Sequence, residues 1–208
     1  MITGLLAFIS ALLMPLAVVI FPGVGLFLGR KSKDGLRDFP KIVLFSLSIN
    51  ILTALVVVAL GWPVLLTAFV SLAMTVVFWY AGKMRLGNKE IGWYWLGFLL
   101  VVLAFGAPFM VMHDGLPTGD AQKAIIWAQK IIDDGGLPNY SVAINELNRD
   151  PVDFYTPGLH ALTALVMVGS YSPLTAVGWL AIVLSVAVGV VALGIARELF
   201  PKSNMIIL

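Results

Sequence analysis

The sequence predicts an all-α fold, a polytopic helical membrane protein with about six membrane helices and an amphipathic interfacial helix in a long outer loop. Composition is the first reason. Of the 208 residues, 60% are hydrophobic and 12% charged, and the mean hydropathy is +1.00, whereas an ordinary soluble domain has roughly 45–50% apolar and 25% charged residues. The second is four uncharged runs, Met1–Gly29, Ile42–Gly82, Ile91–Met112 and Phe154–Ala196, each longer than the about 20 residues that a bilayer crossing needs. The third is that the charges gather between those runs. A soluble globule is excluded. Thirteen basic against eleven acidic residues is too even a balance to point to nucleic acid. The absence of cysteine excludes disulfides, thiolate metal sites and a cysteine nucleophile.

Three regions follow: a four-helix membrane region over 1–112, an extracytoplasmic loop over 113–157, and two membrane helices with the start of a further one over 158–208. The first crossing spans about Gly4 to Leu28. It lacks the cationic lead and short core of a signal peptide, so it reads as a retained helix. Pro15 and Pro22-Gly23 remove backbone hydrogen bonds and should bend it. Gly25 and Gly29 have the spacing that lets a second helix approach closely, or are ordinary membrane-helix filler. The 41 residues of Ile42–Gly82 are too many for one crossing. Gly61-Trp62-Pro63 near their centre predicts a hairpin of Lys41–Leu60 and Pro63–Ala81, with Pro63 in the first turn of the new helix. Ile91–Met112 makes the fourth crossing, opened by Trp93, Tyr94 and Trp95 as an aromatic belt.

Lysine and arginine are retained on the cytoplasmic side of a membrane. The segment Arg30–Lys41 has five basic residues and two acids, and Lys83–Glu90 has three and one. Both are therefore expected inside, in a prokaryotic plasma membrane, which puts the N-terminus, the Gly61-Trp62-Pro63 turn and His113–Pro157 outside. That loop has seven acids against Lys123, Lys130 and Arg149. It also holds the sequon Asn139-Tyr140-Ser141, in keeping with an outward face.

Within the last run, Thr156-Pro157 and Ser172-Pro173 each read as an N-cap followed by proline at the first helical position. Two helices are expected, Pro157–Ser170 and Pro173–Ala196. The first reaches only about 21 Å against a hydrocarbon core of roughly 30 Å, so it is either a thin crossing or a re-entrant helix. Re-entry would put Arg197 and Lys202 inside, as the charge rule prefers. Ala181, Ser185 and Gly189 form a small-residue stripe suited to close helix packing, or ordinary membrane composition. The renewed apolar stretch Ser203–Leu208 predicts continuation into another crossing, and hence a fragment.

The outer loop is longer than structureless loops usually are. Ala121, Ala124, Ile125, Ala128, Ile131 and Ile132 recur at helical spacing until Gly135-Gly136, so Asp120–Asp134 reads as an amphipathic helix lying along the membrane interface with Trp127 beside its apolar face. Asp120 is at its start, where an N-cap is the structural reading, worth about 1 kcal/mol. Asp133 and Asp134 oppose the helix dipole and are expected to be solvated, with cation binding as the other reading. Glu146, Arg149, Asp150, Asp153 and Tyr155 crowd the segment before the chain re-enters the membrane, as turn chemistry and a salt bridge or as a binding site. His160 falls on the first turn of a helix entering lipid, where an ionisable group is costly unless it faces a polar cavity. It is either interfacial or functional. His113, at a membrane boundary, carries little signal.

Gly119-Asp120 before an amphipathic helix, then Gly136-Leu137-Pro138, then Asp153-Phe154-Tyr155-Thr156-Pro157-Gly158-Leu159-His160-Ala161-Leu162, resembles the first outer loop of GT-C membrane glycosyltransferases. Ala196-Arg197-Glu198-Leu199-Phe200 is similar to the end of that family's following helix. The resemblance covers about Asp114 to Phe200, and its motifs are short and degenerate. It implies transfer of a sugar from a lipid-linked donor, a polyprenyl phosphate, at the outer face, with Asp120 as catalytic base or acceptor-positioning group and Asp114 as the second candidate. The expected substrate-binding residues are Asp114, Arg149, Asp150, Asp153, Tyr155 and His160. The resemblance also implies that Pro157–Ser170 crosses, which is the reading adopted here. A divalent cation, Mg or Mn, belongs to some members and not to others. Partners are thus membrane lipid, the lipid-linked donor and the C-terminal part of the same protein. Four helices precede the loop where the family has one, and the further helices of a catalytic module are not present.

The competing class is a non-enzymatic membrane scaffold or transporter fragment whose acidic loop binds a cation or partner. A carrier should place ionisable residues inside its crossings, and the first four crossings contain none. That favours work at the outer surface.

Overall fold

The apolar runs fold into helices whose limits follow the proline, glycine and charge punctuation of the sequence. The computed structural model describes residues 2–28, 35–81, 89–112, 120–137 and 157–200. Eight helices lie among them, and the described residues are helical with short connections and no strand: α1 (Ile2–Ile20), α2 (Gly23–Leu28), α3 (Gly35–Ala59), α4 (Leu66–Ala81), α5 (Lys89–Met112), α6 (Asp120–Asp134), α7 (Pro157–Val168) and α8 (Pro173–Leu199). Two of them, over Arg37–Ala59 and Pro173–Leu199, are long and apolar enough to cross a membrane, and only 39% and 22% of their most apolar windows are buried within the chain. A core helix of a soluble protein would be mostly covered. Instead Phe69, Val77, Phe105 and Val188 point outward with more than half their surface exposed.

The first apolar run is broken where Pro22-Gly23 predicts and continuous through Pro15. The break leaves helix-end groups unpaired, and two polar residues one turn apart on α3 satisfy them. Ser46 Oγ donates to the Ile20 carbonyl at 3.0 Å and accepts from the Gly23 N–H at 2.9 Å. Asn50 Nδ2 donates to the carbonyls of Val18 at 2.8 Å and Phe21 at 2.5 Å. Beyond the break α2 packs on α3 and α4, and Gly25 is the reason it can: a Cβ there would collide with the backbone of Thr75. Gly29 lies outside the described residues.

The hairpin turn occupies Leu60–Leu65, with Gly61 in the left-handed region at φ 70°. α4 starts three residues later than Pro63 suggests, because the Pro63 carbonyl is used by the Leu66 N–H in a tight turn. Of the three belt aromatics at the start of α5, Trp93 is exposed, but Tyr94 stacks on Phe39 and Trp95 meets the same ring edge-on at 4.6 Å. They pack the bundle as much as they face outward.

Contacts between named residues fix the helix directions. Phe45 of α3 meets Phe78 of α4, Phe39 meets Tyr94 of α5, Gly194 of α8 abuts Pro40, and Arg37 and Lys41 pair with Glu198. The start of α3 and the end of α8 therefore share one end of the bundle, called here the basic end. At the other end, the α3–α4 turn, Ile131 of α6, the Gly135 that follows α6, and Val168 at the end of α7 surround one small cavity of about 170 Å³.

These contacts place α7 in one half of the bundle. Its first turn, at Gly158, lies against Ile51 in the middle of α3, and its last residue reaches the level of the hairpin turn. The helix has twelve residues, about 18 Å, and occupies only that half of the bundle. α8 then returns to the basic end, so Arg197 joins the other cations, as the charge rule prefers. α7 is also the innermost helix, with Gly158 and His160–Met167 all buried.

Candidate functional site

α6 and α7 form the site region. α6 spans Asp120–Asp134, the limits its periodicity predicts, and Gly135 ends it at φ 66°. Ala124, Trp127, Ala128 and Ile131, one helical face, are buried. The partner of that face is protein: it packs on α7 and touches α8, so the expectation that its apolar side needs the membrane interface for cover is corrected.

The centre of the contact is a stacked pair. The rings of Trp127 and His160 lie 5.9 Å apart between centroids and 16° from parallel, and both residues are under 5% exposed. His160 is therefore neither at a lipid surface nor open to water. One turn on, Thr163 Oγ1 donates back to the Leu159 carbonyl at 2.8 Å, which satisfies its hydroxyl within the helix. α6 opens at Asp120 itself, one residue earlier than an N-cap at that position requires. Seven residues separate Asp120 from Trp127, about 10 Å along the axis. At the other end of α6, Asp133 and Asp134 are exposed, and Asp133 accepts from Gln129 Nε2 at 2.8 Å.

No family model, curated protein or solved structure matches this chain. The site thus rests on its own geometry.

Of the residues singled out in the sequence, the structure describes Asp120 at the head of α6 and His160 in the core. Asp114, Arg149, Asp150, Asp153 and Tyr155 lie outside the described residues, as do His113 and the sequon. Among the described residues, no three histidine, aspartate or glutamate side chains come together as a metal site would need. Ser172 precedes α8 as expected of an N-cap, but its hydroxyl bonds Thr175 Oγ1 at 2.7 Å instead of a backbone N–H.

A second feature escaped the sequence reading. Ala181, Ser185 and Gly189 do not pack on another helix among the described residues. They line an open apolar groove of about 950 Å³ between α5, α8 and the start of α3, and a Cβ at Gly189 would meet nothing within 4 Å. A small-residue stripe is equally compatible with helix contact and with a groove floor, so spacing alone could not separate them.

Proposed function

We propose that the chain is an integral membrane protein and the N-terminal portion of a GT-C-type glycosyltransferase, moving a sugar from a polyprenyl-phosphate carrier to an acceptor at the outer face. The observation that supports it is the Trp127–His160 stack. It joins the helix beginning at Asp120 to the first turn of α7, two stretches that carry the resemblance, in the half of the bundle away from the basic residues. In this reading α1–α2, α3, α4, α5 and α8 are five crossings and α7 is a re-entrant half-crossing. That differs from the family pattern, in which the segment after the loop crosses.

In the proposed reaction the Asp120 carboxylate takes the proton of an acceptor hydroxyl as that oxygen attacks the anomeric carbon. The sugar–phosphate C–O bond breaks, and its electron pair leaves with the polyprenyl phosphate. The departing charge needs a cationic or hydrogen-bonding partner, for which Arg149 and His160 are the candidates, with or without a divalent ion. Asp114, Asp150, Asp153 and Tyr155 would contact the substrates. Free aspartate is a weak base at its usual pKa of about 3.9, so it must be desolvated in the complex with substrate.

The test is transfer of a labelled sugar from polyprenyl phosphate by membranes expressing the full reading frame. Asp120→Asn should lower the rate by at least about 10²-fold with expression unchanged, and Asp134→Asn should leave it near normal. Retained activity in Asp120→Asn would move the base to Asp114, Asp150 or Asp153.

A further inference from the structure

We infer that the groove between α5 and α8 holds an anionic membrane phospholipid, an acyl chain along its floor and the headgroup at Arg197. This rests on the protein being membrane-embedded and not on the transferase chemistry.

The groove has the shape for a chain. Its floor is Ala181, Ser185 and Gly189, and its α5 wall runs from Trp93 to Phe105, twelve residues or about 18 Å along the helix. Its volume of about 950 Å³ lies at the upper end of the usual range for ligand cavities. Its polarity is one-sided. The floor hydroxyl of Ser185 is already bonded to the Ala181 carbonyl at 2.8 Å, so nothing along the length asks for a polar partner. Arg197 stands at one end, beside Trp93 and Tyr94, the aromatic types that settle at headgroup depth.

The charge at that end also selects the ligand. Arg197 lines this end of the groove, and Arg37 and Lys41, bound to Glu198 next to it in sequence, lie at the same end of the bundle. Such a cluster beside a membrane surface attracts anionic lipid. A second helix is a poorer fit, since a cylinder about 10 Å across would have to pass the exposed rings of Trp93 and Phe105 to reach the floor.

The experiment uses the full chain in detergent, stripped of lipid and then supplied with phosphatidylglycerol or phosphatidylcholine, with bound lipid counted by native mass spectrometry and stability read as Tm. Phosphatidylglycerol should be retained and should raise Tm more than phosphatidylcholine. Arg197→Gln should weaken phosphatidylglycerol about fivefold, the effect of one basic residue near a membrane surface. Gly189→Phe and Gly97→Phe each place a ring where a Cβ meets no neighbour and should abolish retention while Tm of the lipid-free protein holds. Equal binding of the two lipids, or undiminished binding in a correctly folded Gly97→Phe or Gly189→Phe chain, would overturn the inference. So would a dimer that Gly189→Phe dissociates, which would assign the groove to a second copy. None of these readouts involves sugar transfer, so they stand apart from the transferase test. Failure of the membrane reading itself would appear as a chain released from membranes without detergent.

Discussion

Arg37 Nε donates to Glu198 Oε1 at 2.6 Å and its Nη2 to Glu198 Oε2 at 3.2 Å, a two-pronged pair across 161 positions of sequence. Lys41 Nζ joins it at 3.1 Å. Both partners are about half exposed, so the pair contributes little to stability. Its weight is geometric: it places the end of α8 beside the start of α3.

Helix direction can be tested by cross-linking, because the chain has no cysteine of its own. Cysteines at Arg37 and Glu198 should be joined by a short bismaleimide. Cysteines at Trp62 and Glu198, separated by roughly the rise of α3 from Arg37 to Ala59 or about 33 Å, should not. The reverse pattern would put α7 back among the crossings.

The break between α1 and α2 depends on Asn50. Replacing it with alanine leaves the carbonyls of Val18 and Phe21 without their side-chain donor in a buried setting, at a cost of about 1–3 kcal/mol. Asn50→Ala should lower Tm clearly, and Ser46→Ala should lower it as well, since Gly23 loses its acceptor. Thermal unfolding in detergent measures both. An unchanged Tm in Asn50→Ala would mean that the broken helix re-pairs by itself.

Two glycines should respond in opposite ways to the same change. Gly25→Leu drives a side chain into the Thr75 backbone, and overpacking of this kind costs about 1–3 kcal/mol or more. Gly92→Leu enters open space and should be neutral. Comparing the yield of monodisperse protein for the two variants checks the α2–α4 contact.

His160 separates packing from chemistry. His160→Phe keeps an aromatic ring against Trp127 and should keep α6 docked, whereas Trp127→Ala removes the indole and should cost about 3–5 kcal/mol. If His160 also serves the leaving phosphate, His160→Phe will retain Tm but reduce transfer in the full reading frame. Full transfer in that variant would leave His160 a packing residue only. Protease susceptibility at the ends of α6 reports the docking independently.

The limits of α6 were readable because a helical repeat and a glycine stop are local: Ala124, Ala128 and Ile131 recur on one face, and Gly135 alone adopts the turn that ends it. The hairpin at Gly61 and the break at Pro22 were readable for the same reason. The identity of the partner on each face was not. Ala124 and Trp127 carry the same pattern whether lipid or α7 covers them, and Ala181, Ser185 and Gly189 the same pattern whether they floor a groove or seat a helix. The direction of α8 was only half written in the sequence. The charge rule placed Arg197 with the other cations, and the resemblance argued the opposite. A contact between Arg37 and Glu198 decided it, since burial and pairing depend on which surfaces meet in three dimensions, and residues 161 positions apart leave no periodic trace of meeting.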